Sequence, residues 1–189
     1  MNYITTQMRD SIRNDLFVAH ACRDFWWRSV GLNDRREATL AVIENYVGFF
    51  WVCIPLFFQH YILVITALFD EDERSITFRN LLNMVRKNPN PNGQPIEAIE
   101  SDIEASAIVA RKLYKIRNKH IAHKSIEVFD QDFYKEAALS HNDVIDLWGK
   151  CWSIFEALSY HLDRSVESPL QDNPSQFDFV IDALTPKKF

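Results

Sequence analysis

Arg111-Lys112-Leu113-Tyr114-Lys115-Ile116-Arg117-Asn118-Lys119-His120-Ile121-Ala122-His123-Lys124-Ser125 holds six Lys or Arg residues, two His and no acid. The whole chain carries 26 acids against 21 bases, so this stretch runs against the global charge. Upstream, Ser101-Asp102-Ile103-Glu104 reads as a helix-opening capping box, in which a hydroxyl and a carboxylate satisfy each other's backbone N–H groups. Ile103, Ala107, Ala110, Leu113 (or Tyr114) and Ile121 then recur at helical spacing. A helix over about 101–120 puts the basic cluster at its C-terminal end. Part of that cluster has a structural cause, because the helix dipole favours cations there. Its chemistry goes further. Arg117 offers a planar fork of donors suited to phosphate oxygens. Asn118 offers a donor and an acceptor. His120 and His123 take or give protons near neutral pH. The combination suits phosphodiester cleavage without a metal, and equally plain phosphate binding.

The totals set the bounds. A chain of 189 residues, 47% apolar and 13% aromatic, is globular and long enough for one domain with a real core. Four glycines argue against an all-β fold with many tight turns. A net charge of -5 gives no general affinity for nucleic acid, so any RNA contact has to rest on a local patch. Cys22, Cys53 and Cys151 are far apart, odd in number and without metal spacing, which predicts free thiols in a reducing cytosol. Met1 to Asp10 lacks a signal pattern.

Working outward from the basic stretch, the periodicity predicts five helices and no strand. The first, about 6–30, has Ile12, Leu16, Ala19, Cys22 (or Arg23) and Trp26 on one face, with Gly31 as its stop. The second opens at Asn33 or Asp34, with Glu37 placed for a capping box, and runs to Phe69. Pro55 is expected to kink or split it. Within it, Tyr46 to Phe69 is long enough at roughly 20 residues to span a bilayer. Pro55, Gln59 and His60 interrupt it, and no Lys/Arg flank marks it. A buried core helix or an oligomer-facing helix is the expectation, with no membrane contact. The third, about 77–87, carries Phe78, Leu81, Leu82 and Val85 on one side. Asn88 to Pro95 reads as a solvent loop. The fourth ends in the basic cluster. The last, about 140–162, is capped by Ser140 with Asp143, and Val144, Leu147, Trp148, Cys151, Phe155 and Leu158 form its stripe. The reading is thus an all-α bundle over 1–164, followed by an irregular tail over 165–189 laid as a strap on the surface.

Arg followed after four to six residues by His is a weak pattern alone, with roughly one chance match expected in this composition. There are two, Arg117 to His123 and Arg13 to His20, each with Asn next to the Arg (Asn118, Asn14). The pair on the first helix sits mid-helix among Asp10, Asp15 and Asp24. The pair at 117–123 lies at a helix end, where the chain is free to turn His123 back toward Arg117. There Arg117-Asn118-Lys119-His120-Ile121-Ala122-His123 resembles the signature of HEPN domains. Ile121-Ala122-His123-Lys124, Thr66-Ala67-Leu68-Phe69-Asp70-Glu71-Asp72 and Ser75-Ile76-Thr77-Phe78-Arg79-Asn80-Leu81-Leu82 resemble its branch related to the abortive-infection U proteins.

The resemblance implies a helical bundle that dimerises and brings two copies of the motif to one cleft. Catalytic members are metal-independent ribonucleases, often toxins of toxin–antitoxin or phage-defence systems. An antitoxin or a nucleotidyltransferase is the implied partner, RNA the implied substrate, and no cofactor or metal is implied. Carried over, Arg117, His123 and Asn118 are catalytic. Lys115, Lys119, His120 and Lys124 contact substrate, and Asp70 or Asp72 lies near the cleft. Other readings stand beside these. Arg117 serves equally as a helix-end surface cation. Asp70 to Glu73 is most simply a solvated turn. His120 and His123 have a spacing that Zn²⁺ accepts, but no Cys or close acid completes a set. The five tryptophans are core or dimer surface by default. A non-catalytic module that holds nucleotide or a partner protein keeps the same helix, dimer and basic patch, and so does a plain helical scaffold.

Overall fold

The computed structural model describes residues 3–30, 35–118, 138–162 and 175–185. Among these there are seven helices and no strand. They are α1 (Tyr3–Ser29), α2 (Arg36–Asn45), α3 (Val47–Ala67), α4 (Phe78–Val85), α5 (Ile96–Ile116), α6 (His141–His161) and α7 (Gln176–Leu184). The all-α reading stands, with seven helices among the described residues where five were expected in all.

The core follows the predicted stripes. Ile12, Leu16, Ala19, Cys22 and Trp26 of α1 are all buried, as are Phe78, Leu81, Leu82 and Val85 of α4. The α6 stripe from Val144 to Leu158 is buried throughout. The α1 helix lies along α3, α5 lies along α6, and α1 also meets α6. At that last contact the Trp148 indole N–H donates to the Leu16 carbonyl at 2.9 Å, and the Tyr61 hydroxyl of α3 donates to the Val144 carbonyl of α6 at 2.5 Å. Both polar tips are therefore satisfied inside the apolar layer, as buried Trp and Tyr require. Burial pushes the Tyr61 and Cys151 pKa values upward, so both side chains stay neutral. Cys22 and Cys151 are buried and Cys53 half-buried, and all three are free.

Four expectations change. The break in the second predicted helix falls at Tyr46, with φ -123° and ψ 39°, while α3 runs unbroken through Pro55. Tyr46 closes α2 by donating to the Val42 carbonyl at 3.0 Å and opens α3 by accepting from the Phe50 N–H at 3.2 Å. This turns Val42 and Phe50 together into one apolar cluster. Pro55 is tolerated because it sits on the exposed face of α3, where the carbonyl it leaves unpaired does not have to be buried.

The α5 helix begins at Ile96, one and a half turns before the expected capping box. Pro95 supplies a preset φ of -53° and its carbonyl accepts from Ala98 and Ile99 N–H. Ser101 and Asp102 are exposed mid-helix, and the buried face is Ile99, Ile103, Ser106, Ala110, Leu113 and Ile116. Ala107 and Tyr114 lie outside that face. The cap expected at Ser140 does form: Ser140 Oγ accepts from the Asp143 N–H at 3.1 Å, and the Asp143 carboxylate accepts from the Ser140 N–H at 2.8 Å.

The third change is the tail. The stretch expected to be an irregular strap contains α7, whose Phe177 and Ile181 are buried against Val42 and Phe50, with Phe25 half-buried beside them. Phe25 meets Phe177 edge-on, with ring centroids 5.2 Å apart. Arg28 and Arg35 pair with Asp178, and Arg35 also with Asp182. Fourth, the loop from Asn88 to Pro95 is tied to α6. The Asn90 N–H donates to His161 Nδ1 at 3.1 Å, and His161 Nε2 donates to the Gln94 carbonyl at 2.8 Å. A Cβ at Gly93 would stand 2.4 Å from that imidazole, so only glycine lets the loop lie flat on it.

Candidate active site

The site is built on the last two turns of α5. Arg117 caps the helix with φ -51° and ψ -51°, its N–H shared between the Leu113 and Tyr114 carbonyls. Arg117 and Asn118 are both half-buried, and the Arg117 guanidinium lies over the Tyr114 ring, 4.6 Å from its centroid. That contact holds the fork in place without consuming its donors. Lys115 is exposed on the same turns. Lys119, His120, His123 and Lys124 lie outside the described residues, as does Ile121.

A cavity of about 370 Å³ opens beside Arg117. Its α5 wall is Ala110, Arg111, Tyr114 and Arg117, and its other wall is Thr66, Ala67, Phe69, Asp70 and Glu71 from the end of α3. A second cavity of about 500 Å³ shares Phe69, Asp70, Glu71 and Arg111 with it and continues along α5 to Ser101, past Arg79 of α4. Together they form a groove that runs from Arg117 toward the start of α5. Lys115 does not line it. Arg79 lies 3.8 Å from Glu104 at the far end, whereas Arg111 and Arg117 are in no ion pair among the described residues.

The wall opposite α5 is held by the residues after α3. Thr77 caps α4 by accepting from the Asn80 N–H at 3.2 Å, and the Phe78 N–H returns to the Leu68 carbonyl at 3.1 Å. The Asn80 side chain donates to the carbonyls of Asp72 at 3.1 Å and Ser75 at 2.8 Å. The segments Thr66–Asp72 and Ser75–Leu82 thus form one pinned turn whose near edge faces Arg117. Asp70 lines the groove. Asp72 does not: it turns back to Arg74, which donates to it at 2.7 and 3.0 Å and holds its pKa below the usual carboxylate range. Asn80→Ala removes both bonds and leaves two carbonyls short of a donor, so a loss of about 1–3 kcal/mol is expected in urea unfolding. A loss below about 0.5 kcal/mol, the ordinary scatter of surface substitutions, would mean that the cap and the Phe78–Leu68 bond hold the turn alone.

The other Arg/His pair is structural. Arg13 stacks on Phe17 at 5.3 Å, and its Nε is buried without a partner among the described residues. His20 packs on Trp148 with ring centroids 4.8 Å apart. Desolvation, then the nearby Arg23, pushes its pKa down, so it is neutral at pH 7. Neither residue lines a described cavity. Within the basic stretch, Lys112 also has a structural part, donating to the Ala138 carbonyl at 2.8 Å. A larger cavity, about 600 Å³ between α5 and α6, is lined by Arg23, Lys150, Asp102 and Asp146, with Trp148 at its base. It contains no member of either Arg/His pair.

Sequence reading did not assign Arg111 or Tyr114 to the site. The signal was available as Arg111-x-x-Tyr114-x-x-Arg117, because residues three apart on a helix share a ridge. Glu71 carries no such signal, since only the turn after α3 brings it to α5.

No curated protein and no solved structure matches the chain. A family model described as AbiU2, of HEPN type, matches residues 5–181, which takes in both sequence blocks, the end of α5 and most of α7. The chain belongs to this HEPN-type AbiU2 family of abortive-infection proteins.

Proposed function

We propose that the chain is a metal-independent endoribonuclease of a phage-defence or toxin–antitoxin system, acting in the cytosol as a homodimer. The observation that carries this reading is the meeting of Arg117 with the Thr66–Glu71 turn at one cavity, in a chain of the abortive-infection HEPN family. Arg117 stabilises the charge that develops on the phosphorane-like transition state. His123 acts as general base on the attacking 2′-hydroxyl or as general acid on the leaving 5′-oxygen. The 2′-oxygen bonds to phosphorus, the bond from phosphorus to the 5′-oxygen breaks, and the 2′ proton is replaced on the leaving oxygen. The product ends in a cyclic 2′,3′-phosphate. Asn118 orients the phosphate or Arg117, and Lys119, His120 and Lys124 contact the strand, whereas Lys115 lies off the groove. An antitoxin or nucleotidyltransferase is the fitting regulator.

The dimer rests on α3. Val47, Phe49, Trp51, Val52, Leu56 and Leu63 are exposed, and Trp51 is 80% exposed. The face ends at Ala67, which lines the Arg117 cavity. By length and composition alone α3 is also apolar enough to cross a bilayer. A second copy is the better occupant, because covering this face brings two Arg117 cavities toward one seam. A non-catalytic nucleotide- or protein-binding module is the second reading. The carboxylates of Asp70 and Glu71 beside Arg117 favour its protein-binding form, since they weaken the cavity's pull on phosphate.

Chemistry with no metal predicts that cleavage of 5′-labelled RNA persists in EDTA and yields cyclic phosphate ends. Loss in EDTA with recovery on adding Mg²⁺ or Zn²⁺ would sink the mechanism. No cleavage by protein free of contaminating nuclease would leave the binding module as the function.

A further inference from the structure

At its Arg117 end the groove has two chemically different walls. The α5 wall carries Arg111 and Arg117, six residues apart and so roughly 9 Å apart along the helix axis. Neither is in an ion pair among the described residues, so both are free to seat phosphates. The opposite wall carries Asp70 and Glu71, which repel phosphates. A single strand in this groove therefore lies with its backbone on α5 and its bases toward the turn.

The two acids differ in what they already do. Asp70 Oδ1 accepts from the Asp72 N–H at 3.1 Å, which closes the turn. Glu71 accepts from no described donor, yet it lines both parts of the groove. An ionised carboxylate only accepts hydrogen bonds. It suits the amino edge of a base, as when Glu accepts from cytosine N4, and it opposes the O4 acceptor of uracil. Between the two arginines stands Tyr114, 45% exposed, with the Arg117 guanidinium over its ring. An aromatic ring beside a phosphate-binding arginine is a stacking face for the base attached to that phosphate.

We propose, on the ribonuclease reading above, that Tyr114 stacks the base beside the scissile phosphate and that Glu71 selects an amino-bearing base (cytosine, adenine or guanine) over uracil at that position. Tyr114 and Glu71 are binding and specificity residues. Neither takes part in the proton transfers.

The test uses the full chain and DNA oligonucleotides with one ribonucleotide, so that one linkage is cleavable. The bases on either side of that linkage are varied among cytosine, adenine and uracil. The parent is expected to favour cytosine and adenine over uracil at one of the two positions by roughly tenfold in kcat/KM. Glu71→Gln keeps the size but presents both a donor and an acceptor, so the preference should fall to about twofold or less. Tyr114→Ala should raise KM about tenfold, and Tyr114→Phe, which keeps a ring for both the base and Arg117, should restore most of the KM. Equal cleavage of all bases by the parent overturns the proposal, as does a preference that survives Glu71→Gln or a KM that Tyr114→Ala does not move. Failure of the parent to cleave any ribonucleotide linkage overturns the ribonuclease reading and this proposal together, a different result from cleavage without discrimination.

Discussion

Arg117→Ala is expected to lower RNA cleavage by about 10²–10³-fold with helicity and oligomeric state unchanged, the loss typical of removing one fixed donor to a transition-state oxygen. The guanidinium projects from the last turn of α5 and rests on Tyr114, so its removal empties no core position. Arg117→Lys should also be poor, because an ammonium does not reproduce the planar fork. His123→Ala should cost about 10²–10⁴-fold as loss of a proton carrier, and His120→Ala much less. The pair on α1 supplies the control. Arg13→Ala and His20→Ala satisfy the same spacing rule, but their side chains pack on Phe17 and Trp148. They should lose stability and keep cleavage wherever the fold survives. Cleavage at the parent rate by His123→Ala, with loss in His20→Ala, would place the site on the wrong helix.

Trp51→Glu combined with Leu56→Glu is expected to turn a dimer into a monomer and to remove cleavage without unfolding the bundle. Both side chains are exposed on α3, so the change costs the protomer little. In an interface, truncating a buried Trp anchor typically costs about 2–4 kcal/mol of association, and a carboxylate placed against apolar surface adds to that. Sedimentation should give the parent near twice 22.2 kDa and the double variant at 22.2 kDa. A parent that sediments only at 22.2 kDa would remove the dimer and the shared cleft together. A parent that instead floats with lipid vesicles, through α3, would give that face to a membrane.

The local rules were readable wherever they act within a few residues. The stripe Ile12, Leu16, Ala19, Cys22, Trp26 named its own buried face, and Ser140 with Asp143 named its own cap. The same rules misled where a local pattern had a competitor. Ser101-Asp102-Ile103-Glu104 satisfies the capping-box pattern, but Pro95 and the buried Ile99 start the helix earlier. The Arg117 end of the site was legible because charge excess and motif spacing both lie in one short segment.

Sequence alone determined an all-α chain, most of the faces its helices bury and the basic helix end. Tertiary structure decided the rest, because those features depend on pairs far apart in the chain. Whether apolar α3 turns inward or outward depends on how much of it α1 covers, and α1 covers only one side. The tail becomes a helix because Val42 and Phe50 leave an apolar surface for Phe177 and Ile181 to fill. Glu71 joins Arg117 because Asn80 and Thr77 fold the turn after α3 back onto α5, and no spacing rule connects residues that only a packed turn brings together.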